Sequence, residues 1–478
     1  MNVFDSDSQL NLPKLIALLA YPVALSRLFQ ALASIIDIAM VGGLGAAATA
    51  AVGTGRQLIF ISEMVMISVI SGAMAITAQV SGQGSGYPVT TILRHAFLLL
   101  LVLSLVLGTL GYLATPWLLR LVGAQGEVFR LGVEYMHVFF AGLWAMALSH
   151  IIVNIMQASG DTLTPLFIVA TINILHVIGN FVFINGLGLV PAMGVRGAAL
   201  GQVASRFVGL IVGLAIVYSG GYRINMRKET SLALEWPLLR RIFRIGLPIT
   251  IQGLSRNGAA VVLLRIISGT PVATVGLAAF AIGSRLSQFA FFGANAFSTV
   301  ALILVGQSLG AGQSKEAETR GWVTSRFSMV FMSIIGLIFF FFARPLVALF
   351  TSDPAVIGSG VLFVRMLALA QPFVAMTQAL SGALQGAGDT RPPLYYTLIA
   401  QWIISIPLAY LLTFTFNVGV LGVWIAVTIS PILQSLLTTN KYRSGSWKQH
   451  YARGAMPVPP IPVTAHTIPI GGSSEQQE

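Results

Sequence analysis

The chain consists of long apolar segments separated by short polar ones. Each segment holds roughly 20 or more residues with few charges, the length at which a helix crosses the hydrocarbon core of a bilayer. The segments lie at residues 15–40, 50–77, 92–119, 131–156, 165–187, 195–219, 245–268, 275–304, 322–342, 356–384, 394–415 and 418–438. This pattern predicts an all-α integral membrane protein with twelve transmembrane helices.

Composition supports the prediction and excludes several classes of protein. The 478 residues are 56% hydrophobic and only 9% charged, whereas soluble domains carry about 25% charged residues. No large soluble domain fits beside the spans. Cys is absent, which excludes a disulfide framework, a thiolate nucleophile and a cysteine metal site. The net charge of +12 is explained by basic loops on one membrane face, so we expect no nucleic-acid partner.

The loop charges predict an orientation, because an even number of spans places both termini and the central loop on one side. That side holds the basic residues Lys14, Arg94, Arg223, Arg227, Lys228, Arg240, Arg241, Arg244, Lys315, Arg320, Arg391, Lys441, Arg443, Lys448 and Arg453. The opposite loops hold Arg120, Arg130, Arg196 and Arg344. The positive-inside rule therefore predicts cytoplasmic termini in a bacterial inner membrane.

An internal repeat divides the chain into two halves. The segment that runs from Gln157 through Gly160-Asp161-Thr162 to Pro165 recurs, 228 residues later, from Gln385 through Gly388-Asp389-Thr390 to Pro393. Further matches at nearly this offset pair Gln79, Gly82 and Gly84 with Gln307, Gly310 and Gly312, Pro22 with Pro248, and Gly194 with Gly419. Several matches in register indicate duplication of a six-helix unit. In each turn we expect Gly to end one helix and Asp161 or Asp389 to cap the next.

The repeat predicts five regions: an N-terminal cytoplasmic segment at 1–14, an N-lobe bundle at 15–219, a cytoplasmic loop at 220–244, a C-lobe bundle at 245–438, and a disordered cytoplasmic tail at 439–478. Prolines between Pro457 and Pro462, followed by Gly, Ser and Gln, favour disorder in the end of the tail. We expect a monomer whose partners are the lipid bilayer and a small organic substrate.

The spans, the repeat and the Gly-Asp-Thr turns resemble the multidrug and toxic compound extrusion (MATE) transporters. The segment from Val41 to Gly45 is similar to a Val-Gly-x-Leu-Gly segment of that family. The resemblance implies two six-helix lobes around a central cavity, and export of organic compounds against an inward flow of protons or sodium ions without a further cofactor. The chain also lacks an ATP-binding Gly-x-x-x-x-Gly-Lys-Ser/Thr loop.

Two other carriers and one enzyme class compete with this interpretation. A lipid-linked oligosaccharide flippase of the same superfamily would usually have two more helices. A dedicated exporter of a natural product, such as a precolibactin-like compound, has no sequence signal here. A membrane-embedded enzyme would need convergent ligand pairs, and none of the six His residues forms a His-x-x-x-His pair. We therefore expect a transporter and not an enzyme.

Asp37 is the principal candidate for ion coupling. Among the fifteen acids, only Asp37 and Glu63 lie deep in spans, where a charge is costly and usually functional. Arg27, Gln30 and Ser34 share an arc of about 80° with Asp37 on a helix. The resemblance implies that Asp37 corresponds to the carboxylate that the family carries on its first helix. It also implies that Pro22 corresponds to the proline at which this helix bends in the DinF-like branch. The alternative is a structural, hydrogen-bonding Asp.

The fourth and fifth spans each present one polar face. The fifth carries Asn173, His176 and Asn180, and the fourth carries His150, Asn154 and Gln157. Relatives in the DinF-like branch tend to have Asn and Asp where this chain has His176 and Asn180. His176 is therefore either a titrating partner of Asp37 or, with Asn180, a residue that shapes the cavity.

The remaining candidates concern the substrate and the coupling ion. Glu63 either forms a helix-end or buried charge pair with Arg56, seven residues earlier, or contacts substrate or an ion at the lobe interface. Polar residues that could line the second lobe are Asn257, Gln288, Asn295, Gln371 and Gln378, beside Arg256 and Arg265. The expected substrate cavity includes Arg27, Gln30, Ser34, Glu63, Arg256 and Asn295, which permit neutral, zwitterionic or acid-bearing compounds.

The distribution of acids favours protons over sodium as the coupling ion. The second lobe has no deep carboxylate, whereas a dehydrated sodium ion needs several oxygens and usually a carboxylate. A proton needs only one buried acid, and Asp37 with the cluster of His176, Asn180 and Asn154 supplies it. The alternative is a sodium site formed by Asp37, Asn154 and Asn180. We expect no other metal.

Overall fold

The computed structural model describes residues 11–83, 89–188, 190–219, 224 and 235–454. The predicted spans correspond in order to helices α1 (Leu12–Gly42), α2 (Ala46–Gly82), α3 (Val89–Leu121), α4a (Gly126–Ala141) with α4b (Leu143–Ala158), α5 (Leu163–Asn185), α6 (Gly194–Tyr218), α7 (Trp236–Ser268), α8 (Ala273–Gly310), α9 (Ser314–Phe341), α10 (Pro354–Gly386), α11 (Arg391–Thr415) and α12 (Val420–Arg443). A short helix, Ala343–Ala348, follows α9.

Within the described chain, eleven of the twelve predicted crossings are long and apolar enough to span a membrane. Ten of them qualify singly, and α4a with α4b forms an eleventh crossing that bends by 50° at Gly142. The twelfth, α7, is 33 residues long, but five arginines reduce its mean hydropathy. The outer surface is apolar, with Leu113, Phe167 and Phe341 about 70% exposed, which suits contact with lipid tails.

The helices form two lobes. Helices α1–α6 make the N-lobe and α7–α12 the C-lobe, as the repeat predicts, and each lobe has its own buried apolar clusters. The N-lobe cluster continues into the C-lobe through Ile242 and Ile245 of α7 and Leu302 and Ile303 of α8. The two lobes therefore share a packed contact and are not independent bundles.

The repeated turns have the same backbone in both lobes. Gly160 and Gly388 adopt positive φ angles of 99° and 80°, which glycine tolerates best. Asp161 caps α5 as predicted, because its Oδ1 accepts from the backbone N of Leu163 and of Thr164, each at 3.0 Å. Asp389 differs: it forms an ion pair with Lys441 of α12 at 3.2 Å.

The beginning of the expected disordered tail is helical. Helix α12 continues to Arg443, and a further helix, α13, covers Ser446–Gly454. The indole of Trp447 is fully buried and stacks on Tyr442 at 5.0 Å, while Lys448 pairs with Glu318 at the start of α9. Residues 439–454 were wrongly expected to be disordered, because these tertiary contacts leave no periodic signal in so short a segment.

Some predictions fall outside the described residues. They are the structure of residues 1–10, most of the 220–244 loop with Arg223, Arg227 and Lys228, and the Pro-rich end of the tail at 455–478.

Candidate functional site

A cavity of about 520 Å³ lies mainly in the N-lobe. Its walls come from α1, α2, α4b, α5 and α6, and one side is closed by α7, α8 and α10 of the C-lobe. The cavity therefore lies where the two lobes meet.

The polar stripe on α1 faces this cavity over most of its length. Arg27, Gln30 and Ser34 line the wall, and the Arg27 guanidinium donates to Gln30 Oε1 at 3.2 Å. Pro22 lies within the continuous helix α1, one turn before Ser26, whose hydroxyl donates to the Pro22 carbonyl at 2.8 Å. Three of the predicted α1 residues thus reach the cavity.

Asp37 lies at the end of the stripe but turns away from the cavity wall. Its side chain is 5% exposed and is held by residues of two other helices. Oδ2 lies 3.1 Å from the Arg56 guanidinium of α2, and Oδ1 accepts from Asn180 Nδ2 of α5 at 2.7 Å. His176 Nε2 lies 3.8 Å from the same Oδ1 and 3.2 Å from Asn180 Nδ2. The structure therefore brings Asp37, His176 and Asn180 together.

Arg56 forms an ion pair with Asp37. The predicted buried pair between Arg56 and Glu63 is therefore wrong. The hydroxyl of the buried Tyr135, on α4a, also lies against the Arg56 guanidinium. Tyr135 was missed in the sequence because no helical spacing relates it to α1 or α2. Glu63 instead lines the cavity, within electrostatic range of Arg206 and Arg56.

Arg206 is the second residue that the sequence analysis missed. It lies on α6, lines the cavity and donates from Nη1 to His150 Nε2 at 2.8 Å. The signal was present: Gln202 and Arg206 lie one turn apart within an otherwise apolar span, and both line the cavity. The sequence analysis considered mainly acidic residues within the spans, and so it did not identify this pair.

The proposed sodium ligands are only partly assembled. Asn154 lines the cavity and donates to the His150 carbonyl at 2.8 Å, whereas Asn180 contacts Asp37. Among the described residues, no group of three or more His, Asp or Glu side chains is arranged to hold a metal ion.

The C-lobe contributes a smaller adjoining cavity of about 200 Å³. Arg256 lines it, donates to Gln378 Oε1 at 3.3 Å and lies 5.9 Å from the centre of the Phe291 ring. Asn295 and Phe291 line both cavities.

The other polar candidates of the C-lobe lie elsewhere. Asn257, Gln288 and Arg265 are exposed, and Gln371 is buried. The Arg265 guanidinium donates to Ser268 Oγ at 3.3 Å at the end of α7. None of these four lines the two cavities.

The lobes contact each other at the helix ends that the loop charges assign to the cytoplasmic side. Gln79 of α2 donates to the Gly386 carbonyl at 2.8 Å and accepts from Arg241 at 2.7 Å. The repeat matches Gln79 with Gln307 and Gly82 with Gly310. A β-carbon at Gly82 would overlap the Gln307 carbonyl, and one at Gly310 would overlap the Gln79 carbonyl. We call this reciprocal crossing of α2 and α8 the Gln–Gly crossing.

Two six-helix lobes with a polar cavity where they meet are an architecture found among membrane transporters. A family model, MatE, matches residues 22–182 and 248–411. The chain belongs to this family, that of the MATE transporters. Its members are transporters and not enzymes, in agreement with the expectation from the sequence.

Curated relatives match nearly the whole chain. The probable multidrug resistance protein NorM of Thermotoga maritima is 28% identical over 437 residues, covering 90% of this chain and 92% of that protein. The uncharacterized transporter YisQ of Bacillus subtilis is 24% identical over 400 residues, covering 84% of this chain and 87% of that protein.

Solved structures have the same fold. An outward-facing multidrug resistance MATE family transporter of the MOP superfamily matches with a TM-score of 0.85 and 21% identity, over 94% of this chain and 97% of the other. A MOP superfamily transporter from Pyrococcus furiosus matches with a TM-score of 0.84 and 22% identity, over 92% and 97% of the two chains. The predicted fold is confirmed.

Proposed function

We propose that this protein exports organic compounds from the bacterial cytoplasm in exchange for protons, by alternating access between its two lobes. The observation that carries the proposal is the position of Asp37. Its carboxylate is buried, joins α1 to α2 and α5, and lies beside the central cavity. A group that gains or loses a proton there changes contacts among three helices of the N-lobe.

The exchange follows from these contacts. An ionised Asp37 holds the guanidinium of Arg56 and the amide of Asn180. Protonation removes its charge and weakens the pair with Arg56, because a neutral carboxyl attracts a guanidinium less strongly. The N-lobe then repacks around α1, and the compound in the cavity is released outside. Return of the lobes to face the cytoplasm releases the proton inside.

The Gln–Gly crossing supports an outward-facing assignment for this structure. It joins the lobes at the ends whose loops carry most of the basic residues, the ends that we assign to the cytoplasm. In this proposal both termini are cytoplasmic, the lobes comprise 15–219 and 245–438, and the protein acts as a monomer in the inner membrane.

Protons are favoured over sodium because the Arg56 guanidinium lies 3.1 Å from the Asp37 carboxylate. An arginine directly on a carboxylate disfavours a cation at the same oxygens. Sodium bound by Asp37, Asn154 and Asn180 is the alternative coupling ion.

Transport into proteoliposomes distinguishes proton coupling from sodium coupling. Dansylcholine and dansylglycine, a cationic and an anionic fluorophore, serve as probes so that either sign of charge is detected. We expect a proton gradient without sodium to drive at least one of them uphill, and a sodium gradient at equal pH to drive neither. Uphill transport that requires sodium and ignores the pH gradient would reject proton coupling.

A further inference from the structure

Three arginines of the two cavities have neutral acceptors in place of carboxylates. Arg27 donates to the amide oxygen of Gln30, and Arg256 to that of Gln378. Arg206 donates to His150 Nε2 at 2.8 Å. Because a guanidinium only donates, this imidazole nitrogen must accept, and His150 is the neutral tautomer with its proton on Nδ1. Within the described residues, none of the three arginines forms an ion pair.

The fourth arginine of the larger cavity shows the contrast. Arg56 lies 3.1 Å from the carboxylate of Asp37. Glu63 is the one acid in the described lining of either cavity, and it acts on Arg206 and Arg56 from beyond ion-pair distance. The walls therefore carry more positive than negative charge.

Arg27, Arg206 and Arg256 are each half-buried. A guanidinium partly withdrawn from water without an anion is costly, and proteins normally compensate it with one. A carboxylate also matches the planar fork of an arginine better than any neutral group does. We propose that the cavity binds organic compounds through an acid group, held at the wall that Arg27 and Arg206 share with His150. Arg256 supplies positive charge for a second acid group or a longer compound.

The rest of the cavity fits the body of such a compound. Phe291, Phe292 and Ile172 are among the apolar residues that line it, so the preferred class is an amphipathic organic anion and not a lipophilic cation. This inference rests on the proposed export function and specifies the class of compound that its cavity binds. Asp37 does not line the cavity, so the proton and the acid group occupy different atoms.

Binding to the purified protein tests the charge preference without any ion gradient. The probes are dansylglycine, dansylamide and dansylcholine, which share one fluorophore and carry negative, zero and positive charge. Dansylglycine should bind most tightly. Arg27→Gln and Arg206→Gln should each weaken its binding about tenfold while leaving that of dansylamide unchanged. Arg27→Lys and Arg206→Lys keep the charge and should retain most of the preference.

Arg265→Gln is the matched control, because it removes the same charge from an exposed position outside both cavities. It should leave all three affinities unchanged. Equal or tighter binding of dansylcholine to the wild type, or an anion preference that survives both Gln substitutions, would overturn the inference. Asp37→Asn should keep the anion preference, so a failure of proton coupling is distinguished from a failure of the substrate class.

Discussion

The Asp37 carboxylate lies 3.1 Å from the Arg56 guanidinium and joins α1 to α2. On its other side the same carboxylate accepts from Asn180 of α5. One acid therefore connects three helices of the N-lobe. It lies next to a cavity whose lining includes five further ionisable side chains, those of Arg27, Glu63, His150, His176 and Arg206. This connection is the reason for proposing Asp37 as the acid that couples protons to transport.

Asp37→Asn should abolish uphill export while retaining substrate binding. The amide keeps the size and the hydrogen bond to Asn180 but removes titration. Glu63→Gln, the matched control on α2, should reduce transport less, since Glu63 forms no direct ion pair in the described chain. The measurement is uphill transport in proteoliposomes beside probe binding in detergent. Normal uphill transport by Asp37→Asn, together with its loss in Glu63→Gln, would identify Glu63 as the coupling acid.

Arg56→Gln should destabilise the protein by about 1 to 3 kcal/mol, because it leaves the buried Asp37 carboxylate without its cation. The guanidinium side chain is 34% exposed, so the cost is below that of a fully buried pair. The double variant Arg56→Gln with Asp37→Asn should recover most of the loss, since neither charge remains. Chemical unfolding followed by tryptophan fluorescence measures both changes. Additive losses would show that the pair contributes no coupling energy.

Gly82→Ala and Gly310→Ala should disfavour the closed arrangement of the lobes. Each added methyl group overlaps a backbone carbonyl of the opposite lobe at the Gln–Gly crossing, and a backbone atom cannot rotate aside. Gly53→Ala is the control, because a β-carbon at Gly53 of α2 meets no atom within 4 Å. The chain has no cysteine, so spin labels at Gln83→Cys and Gln313→Cys report the separation of these ends alone. We expect longer distances between the labels in the two crossing variants. An unchanged distance distribution would contradict the role of the Gln–Gly crossing in holding the lobes together.

The loop charges predict that both termini are cytoplasmic. A reporter enzyme that is active only in the periplasm, fused after the last residue, should give no signal. Fusion of the same reporter to the loop between α3 and α4a, beside Arg120, should give a strong one. The reverse result would exchange the inner and outer sides, and with them the assignment of the Gln–Gly crossing as the cytoplasmic closure.

The sequence alone determined the number and order of the membrane helices, the two-fold repeat and the list of deep acids. These are local properties: twenty apolar residues must form a helix in lipid, because no water is available for the backbone, and Gly-Asp-Thr turns end helices through their own backbone and side chains. Helical spacing also placed Arg27, Gln30 and Ser34 on one face, and the structure puts all three on the cavity wall.

The partners of the charged side chains could not be predicted from the sequence, because they depend on how the helices pack. Asp37 pairs with Arg56 of α2 rather than facing the cavity, Arg206 meets His150 across 56 residues of chain, and α13 packs through Trp447 on Tyr442. The physical reason is that a charge in a membrane must find a partner wherever the helices bring one. Spacing within one helix fixes the face on which a side chain lies, but the packing of different helices fixes what that face meets.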